Sequence, residues 1–113
     1  MPPSLQIQTE SIANGMVLRP SGEIDLARSP ELRLRLREEV DALPRRLVID
    51  LSAVGYMDSS GVATLVEALQ RSKTAGCRLI LCCLQPKVRS IFAISRLDTV
   101  FEIALSVDDA KTR

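Results

Sequence analysis

The sequence predicts an α/β domain in which a mixed, mostly parallel sheet of four to five strands packs against three to four helices. Short apolar segments alternate with amphipathic segments along most of the chain, which is typical of parallel strands joined by helical crossovers. An Asn14-Gly15 pair near the start indicates a hairpin, which adds one antiparallel strand at an edge. The chain has 113 residues, of which 46% are hydrophobic, so we expect residues 1–113 to form a single domain.

The first two strands are predicted on either side of the Asn14-Gly15 turn. Polar and apolar residues alternate over 5–9, and a second apolar segment follows at 16–18. Pro20 cannot donate a backbone hydrogen bond, so we expect a bulge or an edge position there. The strand is expected to resume over 22–24. The remaining pattern gives the order β-β-α-β-α-β-α-β, with a further short helix at the end.

The first helix is predicted to begin at Ser29-Pro30-Glu31. This triplet combines an N-cap residue, Ser29, with a proline and an acidic residue in the first turn. Four apolar residues share one face of the helix, which we expect to be buried: Leu32, Leu36, Val40 and Leu43. Leu34 falls on the opposite side and is expected either to be partly exposed or to contact another part of the chain.

The later elements follow from apolar segments and their boundaries. Residues 47–51 are apolar apart from Asp50, as in a strand that is covered on both faces. A second helix is predicted over about 60–75, where Gly76 ends it. Further along, the pattern indicates a strand at 78–84, a helix from Pro86, a strand at 100–104 and a final helix capped by Ser106.

The composition argues against several classes of function. The net charge is +1 and aromatic residues make up 3% of the chain, so we expect no binding to nucleic acid. Histidine is absent, which excludes Ser-His-Asp and Cys-His catalysis, and we expect no catalytic residue, no metal site and no cofactor. Residues 1–4 lack the features of a signal peptide, and no apolar segment is long enough to span a bilayer. We therefore expect a cytoplasmic protein that does not insert into a membrane.

The cysteines, Cys77, Cys82 and Cys83, are predicted to be small buried residues in a reducing cytosol. Their odd number argues against a disulfide framework, and their spacing is not that of a metal site. If residues 78–84 form a strand, the side chains of Cys82 and Cys83 point to opposite faces of the sheet.

The most informative segment is Asp58-Ser59-Ser60-Gly61, which begins the second helix after the strand at 47–51. In parallel α/β sheets, functional sites gather at this edge. Asp58 or Ser59 could serve only as the N-cap, with Gly61 allowing close packing. A helix start also tolerates a phosphate, because its free N–H groups and its dipole favour negative charge. The glycine pattern of a hydrolase or of a phosphate-cradling loop is missing, so the residues leave these two interpretations open.

Four segments together resemble the STAS family, the sulphate-transporter and anti-sigma-factor-antagonist domain. Ser21-Gly22-Glu23-Ile24-Asp25 resembles the family's Gly-Glu-Leu-Asp segment, and residues 47–51 resemble its central strand. Residues 56–62 match its phosphorylation loop, and Arg96-Leu97-Asp98 with Phe101 is similar to its closing segment. The similarity covers nearly the whole chain and is greatest to the stand-alone bacterial antagonists, which implies the STAS fold.

The resemblance implies a function in partner switching. Ser59 corresponds to the serine that a partner kinase phosphorylates, and Ser60 takes the family's serine/threonine position beside it. In this scheme the unphosphorylated protein binds an anti-sigma factor that is also a serine kinase, and this binding frees a sigma factor. Phosphorylation abolishes the binding, and a serine phosphatase restores it. Two positions depart from the family pattern: Arg96, where relatives often have glycine, and Pro20 within a strand.

The partner surface implied by this scheme joins the serine segment to two acidic residues of the Gly-Glu-Leu-Asp match. Its residues are Glu23, Asp25, Asp58, Ser59, Ser60 and Gly61. A phosphate on Ser59 would stand close to the carboxylates of this group, so a partner that fits the free serine would meet repulsion and a desolvation cost. The protein itself is expected not to be an enzyme.

A second interpretation keeps the family and changes the function. A STAS accessory subunit can dock on a membrane transporter, such as an ABC lipid-transport system, with Asp58-Ser59-Ser60 as a docking loop that is not phosphorylated. The intact Asp-Ser-Ser-Gly segment favours the antagonist. Nucleotide binding at the sheet edge is a third interpretation, which no glycine-rich loop or lysine supports.

Overall fold

In residues 5–113, five strands form a main sheet, two strands form a small sheet beside it, and four helices cover them. The structure is a computed structural model, and it describes residues 5–113. Its strands are β1 (Gln6–Ile12), β2 (Gly15–Ser21), β3 (Glu23–Ile24), β4 (Arg46–Asp50), β5 (Tyr56–Met57), β6 (Arg78–Cys82) and β7 (Glu102–Ala104). Its helices are α1 (Ser29–Asp41), α2 (Ser59–Ala75), α3 (Pro86–Ile94) and α4 (Val107–Thr112), with a 3₁₀ turn at Leu97–Thr99.

The main sheet has the strand order β1-β2-β4-β6-β7. Strands β1 and β2 form the predicted antiparallel hairpin, and the other neighbouring strands are parallel. Strand β4 lies in the centre, and its residues Leu47, Val48 and Ile49 are fully buried, so both of its faces are covered as the apolar sequence predicted. The predicted fold class, a mixed and mostly parallel sheet with three to four helices, is confirmed.

The two faces of the sheet carry cores of unequal size. On the larger side, α1, α2 and α3 pack against the sheet, and the Phe92 and Phe101 rings meet edge to face with their centroids 5.4 Å apart. The smaller side is covered by α4, and its buried residues are Val17, Val48, Ile80, Cys82, Ala104 and Ala110. The Ser106 hydroxyl accepts a hydrogen bond from the Asp109 N–H at 3.0 Å, so Ser106 caps α4 as predicted. None of the helices within residues 5–113 is both long and apolar enough to cross a membrane.

The segment after β2 leaves the main sheet. The prediction that the strand resumes over 22–24 is therefore wrong. Strand β3 pairs in parallel with β5, so that Glu23 lies beside Tyr56 and Ile24 beside Met57. The turn into β3 is fixed by the Gly22 N–H, which donates to the Ala53 carbonyl at 3.0 Å. This small parallel pair brings two segments more than 30 residues apart in sequence to one place.

Pro20 lies inside β2 without the predicted bulge or edge exposure. The pairing of β1 with β2 has a continuous register through Pro20, and the residue is buried. Strand β2 pairs with β4 only as far as Leu18. Pro20 therefore interrupts no hydrogen-bond ladder on that side, which is why the strand tolerates it.

Helix α1 differs from the prediction at both ends. Arg28, not Ser29, is its N-cap residue, and the Asp25 carbonyl accepts hydrogen bonds from the N–H groups of Arg28 and Ser29 at 3.2 and 2.8 Å. At the other end, Leu43 lies beyond the helix with a left-handed φ of +58° and is exposed, so its predicted burial is wrong. Leu34 is exposed, as predicted.

Strand β6 ends at Cys82, earlier than predicted, and this changes the position of the next thiol. Cys83 has a φ of +62°, a left-handed conformation that turns the chain out of the strand. The prediction that these two side chains point to opposite faces is therefore wrong. The two Sγ atoms and a carboxylate oxygen of Asp50 all lie within 4.8 Å of one another.

Arg96 occupies a left-handed turn between α3 and the 3₁₀ turn. Its φ is +57° and its ψ is +21°, and its side chain is exposed. The Arg96 N–H donates to the Ala93 carbonyl at 3.1 Å, and the Thr99 hydroxyl donates to the Arg96 carbonyl at 2.7 Å. A residue with a Cβ atom costs roughly 1–2 kcal/mol in this conformation, so Arg96 strains the turn.

Arg96→Gly is expected to raise the free energy of unfolding by about 0.5–1 kcal/mol, because the relief of strain exceeds the added entropy of the unfolded chain. Urea unfolding followed by circular dichroism measures the change. Arg89→Gly makes the same substitution at an exposed position inside α3 and is the matched control, with an expected loss of about 1 kcal/mol. Equal losses in both variants would contradict the strain at Arg96.

Candidate functional site

Asp58 caps the N-terminus of α2. Its Oδ1 atom accepts hydrogen bonds from the backbone N–H groups of Ser60 at 2.9 Å and Gly61 at 3.3 Å, and from the Ser60 hydroxyl at 2.5 Å. These bonds satisfy N–H groups that the start of a helix leaves without partners. Of the two candidates for the N-cap, Asp58 is therefore the one that caps α2. The helix begins at Ser59, one residue earlier than predicted.

The same contacts keep Asp58 ionised at neutral pH. The hydrogen bond from the Ser60 hydroxyl is the main cause that lowers the pKa of this carboxyl, and the backbone N–H groups of Gly61, Ser60 and Leu26 lower it further. The dipole of α2 also favours a negative charge at this end. A fixed negative charge thus stands one residue before Ser59.

Ser59 is the exposed hydroxyl of the segment. It is the first residue of α2, and within residues 5–113 its side chain has no hydrogen-bond partner. Ser60 differs, because it is half-buried and its hydroxyl is bound to Asp58. The Ser60 carbonyl also accepts a hydrogen bond from the Thr64 hydroxyl at 2.8 Å. An enzyme that approaches this helix start meets the Ser59 hydroxyl free and the Ser60 hydroxyl already engaged.

Gly61 is buried and lets α2 approach the small sheet closely. A Cβ atom at this position would lie 2.6 Å from the Met57 Cγ atom, 2.8 Å from the Ile24 Cγ2 atom and 3.0 Å from the Ile24 carbonyl oxygen. The first two distances are too short for real contacts of a Cβ atom, and the third is tighter than most of them. Gly61 therefore positions the loop by its lack of a side chain, and its predicted contact with a partner stays a prediction.

The acidic residues Glu23 and Asp25 lie beside this helix start because β3 pairs with β5. The Asp58 N–H donates to the carbonyl of Ile24, the residue between the two acids, at 3.2 Å. The Leu26 backbone N–H also lowers the pKa of the Asp58 carboxyl. The structure therefore brings the six predicted site residues to one edge of the sheet.

Arg28 is a charged residue of this edge that the sequence analysis missed. Its Nη1 atom lies 2.6 Å from Asp25 Oδ2 and 4.0 Å from Glu23 Oε2, and its backbone N–H donates to Asp25 Oδ1 at 3.0 Å. The spacing of three residues between Asp25 and Arg28 was the available signal, since such pairs interact at a helix start. Asp25 is thus partly neutralised, whereas the Glu23 side chain is 64% exposed.

Two large apolar side chains beside the serine are also exposed and were missed. Leu26 is 75% exposed and Tyr56 is 47% exposed. Leu26 follows Asp25 directly, and Tyr56 lies beside Glu23 in the small sheet. Exposed apolar side chains next to polar groups are typical of protein interfaces. In the sequence alone, nothing distinguished these two residues from core residues.

One group of metal-ligating side chains lies close together in the part of the chain that the structure describes. It consists of Asp50, Cys82 and Cys83 and shares no residue with the site around Ser59. The chemistry available around Ser59 is therefore that of one free hydroxyl among carboxylates, with neither a histidine nor a cysteine beside it in the segment.

Comparison with known protein families shows to which family the chain belongs. The sequence profile of the STAS domain matches residues 6–110. The chain belongs to the STAS family. The match includes every segment of the site, so the resemblance inferred from four short segments is confirmed over most of the chain.

Its STAS relatives include proteins named as anti-sigma factor antagonists. BtrV of Bordetella bronchiseptica, which carries this name, is 27% identical over 106 residues, or 94% of this chain and 91% of the relative. The anti-sigma-B factor antagonist of Listeria monocytogenes is 33% identical over 85 residues, or 74% and 73% of the two chains. The crystal structure of an anti-sigma factor antagonist from Mycobacterium paratuberculosis has a TM-score of 0.89 at 29% identity and covers 99% of this chain and 95% of that one.

Gly61→Ala is expected to lower the free energy of unfolding by about 1–3 kcal/mol, because the added methyl group overlaps buried atoms of Ile24 and Met57. Chemical unfolding measures this loss. Gly55→Ala is the matched control: its Cβ would meet only the Gln85 Oε1 atom at 3.8 Å, and we expect a change within about 0.5 kcal/mol. A tolerated Gly61→Ala would show that the helix start is not held by this packing.

Proposed function

We propose that this protein is an anti-sigma factor antagonist whose binding to an anti-sigma factor is switched off by phosphorylation of Ser59. The partner in this proposal is itself a serine kinase, and its capture by the unphosphorylated protein frees a sigma factor. One observation carries the proposal: the exposed Ser59 hydroxyl has no hydrogen-bond partner within residues 5–113 and stands at a helix start whose cap is supplied by another residue, Asp58.

The geometry explains why the domain would tolerate the phosphate. Because Asp58 and not Ser59 caps α2, modification of Ser59 breaks no hydrogen bond of the cap. The dipole at the helix start returns roughly 0.3–1 kcal/mol for a negative charge placed there. This gain offsets part of the repulsion from the Asp58 carboxylate, so the free energy of unfolding would change little.

The same phosphate would act strongly on a bound partner. It adds about 1.5–2 negative charges at neutral pH, in the middle of a surface that already contains the carboxylates of Glu23 and Asp58. A partner that covers Leu26 and Tyr56 excludes water from this edge, and the loss of water weakens the screening of that charge. A loss of a few kcal/mol in binding free energy lowers the affinity by orders of magnitude.

In this proposal the protein has no catalytic activity of its own. The chain supplies the acceptor hydroxyl, while the kinase supplies ATP, metal ion and base, and a serine phosphatase later removes the phosphate. Asp58, the nearest carboxylate, is a poor base because its pKa is lowered. The cytoplasmic location and the single domain over residues 1–113 stay predictions.

Incubation with the cognate kinase and ATP is expected to place one phosphate on Ser59, which tandem mass spectrometry locates. Ser59→Ala should abolish labelling and still bind the kinase, whereas the matched control Ser60→Ala should still be labelled. The phosphorylated protein should bind the kinase at least tenfold more weakly, or by about 1.4 kcal/mol, with a Tm shift of only a few degrees.

Two results would contradict this assignment. A phosphate on Ser60 with Ser59 unmodified would move the acceptor. A protein that stays unmodified at both serines under all conditions, while co-purifying with a membrane transporter, would instead support the docked accessory subunit.

Leu26→Ser is expected to weaken binding to the anti-sigma partner at least tenfold, because burial of a leucine side chain contributes about 1.5–3 kcal/mol. Isothermal titration calorimetry measures the affinity. Leu43→Ser is the matched control, because it removes a leucine of similar exposure, 70%. Leu43 lies before β4, whereas the Ser59 segment follows β4, so the two leucines lie at opposite ends of this strand. If both variants bind like the unmodified protein, the interface does not include Leu26.

A further inference from the structure

Two consecutive cysteines at the end of β6 place their thiols side by side. The left-handed conformation of Cys83, with a φ of +62°, returns its side chain to the side of the sheet where Cys82 lies. The two Sγ atoms are within 4.8 Å of each other. Cys82 is fully buried and Cys83 is partly exposed, so the pair has one inner and one outer thiol.

A disulfide does not suit this pair. Consecutive Cα atoms are about 3.8 Å apart across a trans peptide, whereas the Cα atoms of disulfide-bonded residues are usually about 4.4–6.8 Å apart. An S–S bond of about 2.0 Å between Cys82 and Cys83 would therefore strain the backbone. An atom that binds both sulfurs and keeps them further apart fits the spacing better.

The group is also a poor site for a divalent metal ion, because both carboxylate oxygens of Asp50 already accept hydrogen bonds. Its Oδ2 atom accepts a hydrogen bond from Arg19 Nε at 3.0 Å, and its Oδ1 atom accepts one from the Ser52 N–H at 2.9 Å. The Arg19 guanidinium opposes a further positive charge at that carboxylate. The group therefore offers two sulfur ligands, fewer than the four of a structural zinc site.

Burial also keeps the two thiols neutral. It is the main cause that raises the pKa of Cys82 and of Cys83 above their ordinary values. Metal ions and alkylating reagents require the thiolate, which is scarce under these conditions. A neutral electrophile with affinity for sulfur can react with the neutral thiol, because the thiol proton leaves with a hydroxyl group as water.

We propose that Cys82 and Cys83 form a dithiol site that captures trivalent arsenic compounds. Each thiol replaces one hydroxyl group on the arsenic atom, and its proton leaves with that hydroxyl as water. For phenylarsine oxide in its hydrated form, the reaction is C₆H₅As(OH)₂ + 2 RSH → C₆H₅As(SR)₂ + 2 H₂O. The arsenic stays trivalent, so no oxidant or reductant is consumed.

The difference in exposure sets the order of the two steps. The partly exposed Cys83 forms the first As–S bond, and the buried Cys82 then closes the ring from the adjacent position. The second step is intramolecular, and such linkage raises affinity by roughly 10²–10⁴-fold over a single contact. Asp50 stays paired with Arg19 throughout, since the product of the two thiols is uncharged.

The test uses the full-length protein and phenylarsine oxide. Intact-mass spectrometry under native conditions is expected to show one phenylarsenic group per chain at equimolar reagent. A dithiol such as 2,3-dimercaptopropanol should remove it, whereas the monothiol 2-mercaptoethanol should not. Cys83→Ser should weaken capture about 100-fold or more, because only one sulfur remains.

Cys77→Ser is the matched control, because it removes the third cysteine, which is also buried, and should leave capture unchanged. Asp50→Asn should also retain capture. The proposal is overturned if the unmodified protein fails to bind the reagent, if Cys83→Ser binds it as tightly, or if capture requires Cys77 or Asp50. Cys82→Ala removes the inner thiol and should weaken capture about as much as Cys83→Ser does. Circular dichroism confirms that each variant is folded.

Discussion

The start of α2 approaches β3 and β5 at a distance that no side chain at residue 61 would allow. Because Gly61 lacks a Cβ atom, Ile24 and Met57 pack directly against the helix, and the Ile24 carbonyl lies 3.2 Å from the Asp58 nitrogen. Together with the pairing of β3 and β5, this packing joins two segments that are more than 30 residues apart in sequence. The exposure of Ser59, the nearby acidic residues and the apolar rim around them all depend on it.

The charges at this edge are held in ways that separate folding from binding. The negative charge of Asp58 is stabilised by the helix start, and that of Asp25 by the Arg28 guanidinium. Ser59 takes part in neither arrangement. A charge added to its hydroxyl would therefore disturb few internal contacts, while any partner that covers this edge would have to accommodate it in a medium of low dielectric constant. The proposed switch follows from this separation.

Much of the architecture was predictable because the signals are local. The alternation of apolar and amphipathic segments, the Asn14-Gly15 turn and the end of α2 at Gly76, which has a φ of +75°, are all contained in short windows of sequence. The serine segment was predictable for the same reason. Leu26 was missed as a site residue because its place beside Ser59 depends on the pairing of β3 with β5, which no local window contains.

The ends of several elements were mispredicted for a different physical reason. Leu43 and Cys83 adopt left-handed conformations, although each carries a Cβ atom that makes this conformation unfavourable by roughly 1–2 kcal/mol. Local propensity therefore favours continuing the helix or strand, and only packing elsewhere in the fold outweighs that preference. At Cys83 the outcome also decides the chemistry: a continued strand would separate the two neighbouring thiols across the sheet, whereas the turn places them side by side.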